Sequence, residues 1–316
     1  MSDELKPLSF GSDSNNSNFS SDFSIPSKSS YNSQEAEEFV PLRNTQNIEE
    51  IKNQDSNFVF FFGTAESGKS VILSSMLYAL RTQFGVFRPK IGTPNSKEAM
   101  VLLADFFENI RQGILPERTT RDQVTRMDLV FEPNNRSKKV PPINLTFLET
   151  SGENHNEIRR GGSYHSSIDQ YLRANIPLTF ILVTGYNSAH KEDTLLNEFL
   201  FMLEQKSRNL RSANVILVIS KWDKSGSQET TEEELDFFIK ERLPMTYQLL
   251  ETYGLNRTYY TIGELMKEDG EERIVSLNLH TAELLSKWLY CSIVGYDLDY
   301  PGTFWEGIKW SLFGDK

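Results

Sequence analysis

The sequence predicts a three-layer α/β fold, a mostly parallel sheet with helices on both faces. Three observations carry that expectation. Short, nearly wholly apolar runs recur, NFVFFFG at Asn57 to Gly63, LTFILV at Leu178 to Val183 and VILVI at Val215 to Ile219, as strands buried on both faces require. Stretches with apolar residues at helical spacing separate them. The first run also ends in GTAESGKS, Gly63 to Ser70, which fits the pattern GxxxxGK[ST] at every fixed position.

Taken in order, residues 1–54 are rich in Ser, Asn, Asp and Glu, with SNNSNFSSDFS at their centre. Such a segment buries too little apolar surface to offset its ordering entropy, so a disordered tail is expected. Its Phe19, Phe23 and Phe39 are either incidental or anchors for a partner. The folded domain is expected over 55–296. After the first strand, Val71, Leu73, Met76, Leu77, Leu80 and Phe84 place a helix over Lys69 to Phe84, and a second helix follows over Ala99 to Ile110. Met127 to Phe131 and Ile143 to Leu148 read as strands paired across the NNRSKK turn. A helix over Asp193 to Leu210 lies between the Leu178 and Val215 strands. A further helix spans Glu232 to Tyr253, capped by Thr230 or Thr231 with carboxylates in its first turn. A short strand, Thr258 to Ile262, precedes a last helix over Asn278 to Val294. The end of the chain, 297–316, carries Phe304, Trp305, Ile308, Trp310, Leu312 and Phe313, and is expected to dock on the domain or on a partner.

The totals narrow the function. Of 316 residues, 38% are hydrophobic, enough for a core but below the usual globular share, in keeping with the polar tail. A net charge of −11 argues against a broad nucleic-acid surface, and a single cysteine, Cys291, excludes an internal disulfide framework. Cys291 itself reads as a small buried hydrophobe on the last helix. The start lacks a basic and then apolar leader, and no apolar run is long enough to span a bilayer, so a cytoplasmic chain that meets no membrane is expected.

Gly63, Thr64, Ala65, Glu66, Ser67, Gly68, Lys69 and Ser70, with Val71 opening the helix, stand where a phosphate loop works: a buried strand before, an amphipathic helix after. Glycines let the backbone wrap close to phosphate, successive N–H groups form a nest, and the helix adds its positive end. Lys69 then reaches the outer phosphates and the Ser70 hydroxyl holds Mg2+. SKWD, Ser220 to Asp223, directly after VILVI, stands where guanine-nucleotide proteins carry Asn or Thr, then Lys-x-Asp, and is the expected base-reading loop. A carboxylate there accepts from the guanine ring N–H and its exocyclic amine, a donor pair that adenine lacks, while the lysine stem lies along the base.

With both loops in place, the chain resembles the Ras-like, translation-factor-related GTPases, and in look the divergent bacterial GTPase domains of multicomponent conflict and signalling systems. The resemblance covers roughly Phe58 to Val294. It implies a six-stranded sheet of order 2-3-1-4-5-6 with one antiparallel edge strand. It gives Lys221 and Asp223 the base-reading roles, with Ser220 in place of the usual Asn or Thr but still able to tie this loop to the phosphate loop. The family's DxxG motif is replaced by ETSG, Glu149 to Gly152, so that Glu149 reaches Mg2+ and Gly152 offers an N–H to the γ-phosphate. Glu153 stands where a water-orienting Gln is common. GILPERTT supplies the switch threonine, Thr119 or Thr120, for Mg2+, and Arg118 has the spacing of a built-in arginine finger. Ile262 and Gly263, after Thr261, fall at the last base-contacting loop.

The resemblance thus implies a GTP- and GDP-binding molecular switch that uses Mg2+, hydrolyses GTP slowly and signals to a protein partner through its switch loops. Glu149 and Glu153, both departures from the hydrolytic pattern, leave open a pseudo-GTPase scaffold that binds without turnover, and a second rival is an ATPase without guanine selectivity. His155 and His165, with Glu153 and Asp169 near them, match no tight metal-ligand spacing, and Arg159 and Arg160 sit in the same loop.

Overall fold

The computed structural model describes residues 51, 54–93, 96–116, 124–150, 166–174, 176–205, 209–268 and 270–301. Residues 1–50 and 302–316, where tails are expected, lie outside the described residues, as do 117–123 and 151–165. The apolar runs form the middle of one sheet. In chain order its strands are β1 (Asn57–Phe62), β2 (Gly85–Pro89), β3 (Val124–Pro133), β4 (Ile143–Thr150), β5 (Leu178–Gly185), β6 (Asn214–Ser220) and β7 (Asn256–Tyr259). They lie in the order β2-β3-β4-β1-β5-β6-β7. From β4 to β7 all pairs are parallel, while β3 is antiparallel to both β4 and β2. The expected order is present with one strand added, seven rather than six.

Alternation along β1 explains why it carries no polar residue after Asn57. Phe58, Phe60 and Phe62 enter the apolar layer on one side, Val59 and Phe61 the layer on the other. The first layer is completed by α3 (Ser166–Arg173), α4 (Ala189–Gln205), α5 (Glu232–Arg242) and α6 (Pro244–Tyr253). The second is completed by α1 (Lys69–Ala79), α2 (Ser96–Arg111) and α7 (His280–Val294). Phe62 stacks on Phe199 of α4 with ring centroids 3.8 Å apart, and Phe60 meets Phe180 edge-on at 6.1 Å. Burying each such ring is worth about 1.5–3 kcal/mol, so this aromatic seam is a main source of cohesion between β1, β5 and α4. Asp128 of β3, buried, accepts from Thr146 Oγ1 of its paired position on β4 at 2.6 Å, a bond that favours this register, and pairs with Arg126 of its own strand at 2.9 Å.

Four differences from the sequence reading have physical causes. The helix after the glycine-rich loop 63–68 ends its α-helical part at Ala79 and closes as a π-helical turn, Leu80–Phe84, that delivers the chain into the unforeseen β2. The expected helix over 232–253 is two helices. Pro244 opens α6 at its first turn, and Leu243 before it leaves helical geometry at φ −134°, ψ 51°, as the residue ahead of a proline tends to. Residues 263–277 form a second, antiparallel sheet of β8 (Gly263–Glu268) and β9 (Glu271–Leu277). Cys291 is exposed, not buried: α7 turns Ala282, Leu285, Ser286, Leu289 and Tyr290 inward, and position 291 falls off that stripe. At the start of α5, Thr231 is the N-cap, and it and Glu234 form a reciprocal capping box. Ile51, ahead of β1, and Leu298, beyond α7, are both buried in the domain.

Candidate functional site

The strand order reverses about β1, so the C-terminal ends of β1, β4, β5 and β6 lie along one rim of the sheet, the usual place for a ligand in an open α/β fold. The loop 63–68 is shaped for close approach. A Cβ on Gly63 would lie 2.2 Å from the Val183 carbonyl oxygen of β5, so only glycine lets β1 turn there. Glu66 and Gly68 adopt left-handed conformations, φ 64° and 92°, an arrangement of the kind that turns successive N–H groups to one side. Gly68 caps α1.

Lys69 is drawn back along its own loop. Its Nζ donates to the carbonyls of Gly63 at 2.9 Å and Thr64 at 2.8 Å, and the residue is only 6% exposed. Burial pushes its ammonium down to about 8, against the opposing pull of the Glu149 and Glu192 carboxylates. Ser70 Oγ donates to Glu149 Oε1 at 2.6 Å, and Glu149 is 2% exposed. The two residues assigned to Mg2+ thus meet at the end of β4. A hydroxyl and a carboxylate are hard oxygen donors, which fit Mg2+ when phosphate and water complete its shell. Thr120, the third residue assigned to the ion, lies outside the described residues, as do Thr119, Arg118, Gly152, Glu153, His155, Arg159, Arg160 and His165. Among the described residues no cluster of three acidic, histidine or cysteine side chains is placed to hold a metal.

The SKWD loop sits against the glycine-rich loop 63–68. Ser220 Oγ donates to the Ser67 carbonyl at 2.5 Å, across 153 residues of chain, and lies 3.2 Å from the Thr184 carbonyl. Lys221 is exposed and left-handed at φ 56°, which turns the chain into a short 3-10 turn, Trp222–Ser225. Trp222 anchors that turn among Tyr186, Phe238 and Tyr259. Lys224 Nζ lies 3.5 Å from Asp223 Oδ2, and 3.8 Å from Glu272 of β9. At the remaining loop, Thr261 N–H donates to Thr281 Oγ1 at 3.2 Å and Gly263 N–H to Thr261 Oγ1 at 3.2 Å. The Ile262 carbonyl accepts from Asn278 N–H, and the Ile262 side chain is buried in the core. Val71 follows in the first turn of α1, half-buried.

Three residues at this rim are absent from the sequence reading. Gln228 accepts from Thr261 Oγ1 at 2.8 Å, Thr281 clasps the Thr261 backbone, and Glu192, from the first turn of α4, reaches Thr64. No local pattern marks any of them; each is brought in by tertiary packing.

No family model matches the chain, and no curated protein matches it. Many solved structures align with it distantly, and two of them serve as examples. One is a Roco2 RocCORdC fragment from Methanosarcina barkeri bound to GDP, at 14% identity and a TM-score of 0.34, over 83% of this chain and 57% of that one. The other is Toc33 from Arabidopsis thaliana in complex with GDP and Mg2+, at 12% identity and a TM-score of 0.37, over 76% of this chain and 86% of that one. The fold rests on the strand order and loop geometry of this chain itself.

Proposed function

We propose that the chain binds GTP and GDP with Mg2+ and hydrolyses GTP slowly, its switch loops reporting the nucleotide state to a protein partner. The observation that carries this reading is the bond from Ser220 Oγ to the Ser67 carbonyl. It ties the glycine-rich loop 63–70 to the loop that carries Asp223, side by side on one rim of the sheet, which supports a single ligand that touches both. Lys69 and the N–H groups of 63–70 take the polyphosphate, and Asp223 selects guanine. Ser70 and Glu149 hold the ion, which offsets charge on the outer phosphates when bound.

Calorimetric titration with GTP, GDP and ATP, each with and without Mg2+, tests the reading. GTP and GDP bind and ATP does not, and Asp223→Asn moves preference from GTP to xanthosine triphosphate. Equal affinity for ATP, or unchanged GTP binding by Asp223→Asn, counts against the base-reading role. The replacement of the usual Asp by Glu149, whose Oε1 accepts from Ser70, favours one second reading, a scaffold that holds nucleotide without turnover. Phosphate release that disappears in Lys69→Ala excludes it.

A further inference from the structure

We propose that Glu192 is a positioning residue of the phosphate loop, acting on Lys69 through Thr64; the inference rests on the nucleotide-binding reading above. Glu192 projects from the first turn of α4 and is 4% exposed. Its Oε1 accepts from Thr64 Oγ1 at 2.7 Å, and its Oε2 has no hydrogen-bond partner among the described residues. The hydrogen bonding of this buried carboxylate is therefore committed to one hydroxyl of the loop. Thr64 in turn offers its carbonyl to Lys69 Nζ, beside that of Gly63. Holding the Thr64 side chain restricts the backbone that carries the carbonyl, so two hydrogen bonds link three residues from α4 to the ammonium.

Two further points set this apart from ordinary packing. A carboxylate in the wall of a site for a polyphosphate costs desolvation and repels the ligand, and a leucine or methionine fills the same space without either penalty. The turn that bears Glu192 is also braced from outside. The neighbouring Asp193 accepts from the N–H groups of Met245 at 3.0 Å and Thr246 at 2.8 Å, capping α6. Glu192 thus hangs from a fixed point, as a residue that sets a distance must.

The test is a double-variant cycle on the full chain, reading GDP and GTP affinity with Mg2+ beside the melting temperature of the ligand-free protein. Loss of a hydrogen bond to a charged group predicts that Glu192→Ala and Thr64→Val each bind about tenfold more weakly. Because both break one contact chain, the combined variant binds no more weakly than either alone. Glu192→Gln and Thr64→Ser, which keep an acceptor and a donor, return affinity to within about threefold of the parent. A merely structural role lowers the melting temperature and leaves affinity alone. Affinity in Glu192→Ala equal to or tighter than the parent's, additive losses, or a Glu192→Gln as weak as the alanine overturns the proposal. Should Glu192→Ala not fold, Thr64→Val, which replaces only a hydroxyl, decides the matter by the same affinity readout. A parent chain that binds neither nucleotide overturns the underlying reading instead.

Discussion

Lys69 makes the proposed phosphate site sensitive at its alkaline end. In the ligand-free fold its ammonium gives up its proton at about 8, against 10.5 in an open chain, because burial disfavours the charge more than Glu149 and Glu192 support it. Below that value the cation is present before and after binding, so affinity is flat. Above it, each binding event must first restore the proton, at about 1.4 kcal/mol or a factor of ten per pH unit. Between pH 7 and pH 9 the affinity for Mg2+-GDP is therefore expected to fall about tenfold. Calorimetry at constant ionic strength measures it, with Lys69→Arg as the control, since a guanidinium keeps its proton throughout and its profile should be flat. A parent profile level to pH 9, or the same slope in the arginine variant, refutes the reasoning. The same shift acts on folding. The folded value lies below the open-chain value, so the unfolded chain holds more protons between pH 8 and 10.5. Through that window this group raises the stability of the ligand-free protein as pH rises, by on the order of 3 kcal/mol, and the cost of keeping Lys69 charged is fully present below it.

Two substitutions extend the test. Ser220→Ala removes the bond to Ser67 and leaves a buried carbonyl without that donor, a loss of about 1.5 kcal/mol, so nucleotide should dissociate about tenfold faster in a stopped-flow chase; an unchanged rate separates the two loops energetically. Gly63→Ala drives a methyl group against the Val183 carbonyl, at a Cβ distance of 2.2 Å, and should lower stability by about 2 kcal/mol in a urea titration; an unchanged midpoint means that β1 and β5 yield easily there.

How far the fold was legible follows from which surfaces the elements bury. β1, β5 and β6 lie inside a parallel sheet, and their unbroken apolar runs leave few alternatives. β2, GVFRP, is a five-residue edge strand between a glycine and a proline, with half of its side chains in water, so no run betrays it. The β8 and β9 hairpin hides in an acidic stretch, yet Asp269-Gly270 between Glu268 and Glu271 is a hairpin dipeptide, and that signal was there to use. Pro244 likewise marked the break between α5 and α6, but apolar spacing runs across it. At the candidate site, the glycine pattern and SKWD name the residues proposed to face a ligand, because a phosphate loop and a base-reading loop need particular residues at fixed spacing. Glu192, Gln228 and Thr281 escape such reading. Each supports a loop from a distant element, and only tertiary geometry puts Glu192, 128 residues along the chain, beside Thr64.

The added strand β2 also bears on how the protein behaves when crowded. An outermost strand presents an unpaired row of backbone donors and acceptors that another polypeptide can extend. Here that row is five residues long, and it finishes in Pro89, which has no amide hydrogen to give. On the opposite margin β7 has only four residues. Lateral accretion of foreign strands therefore finds little purchase on either side, and concentrated solutions should resist fibrous growth through this sheet.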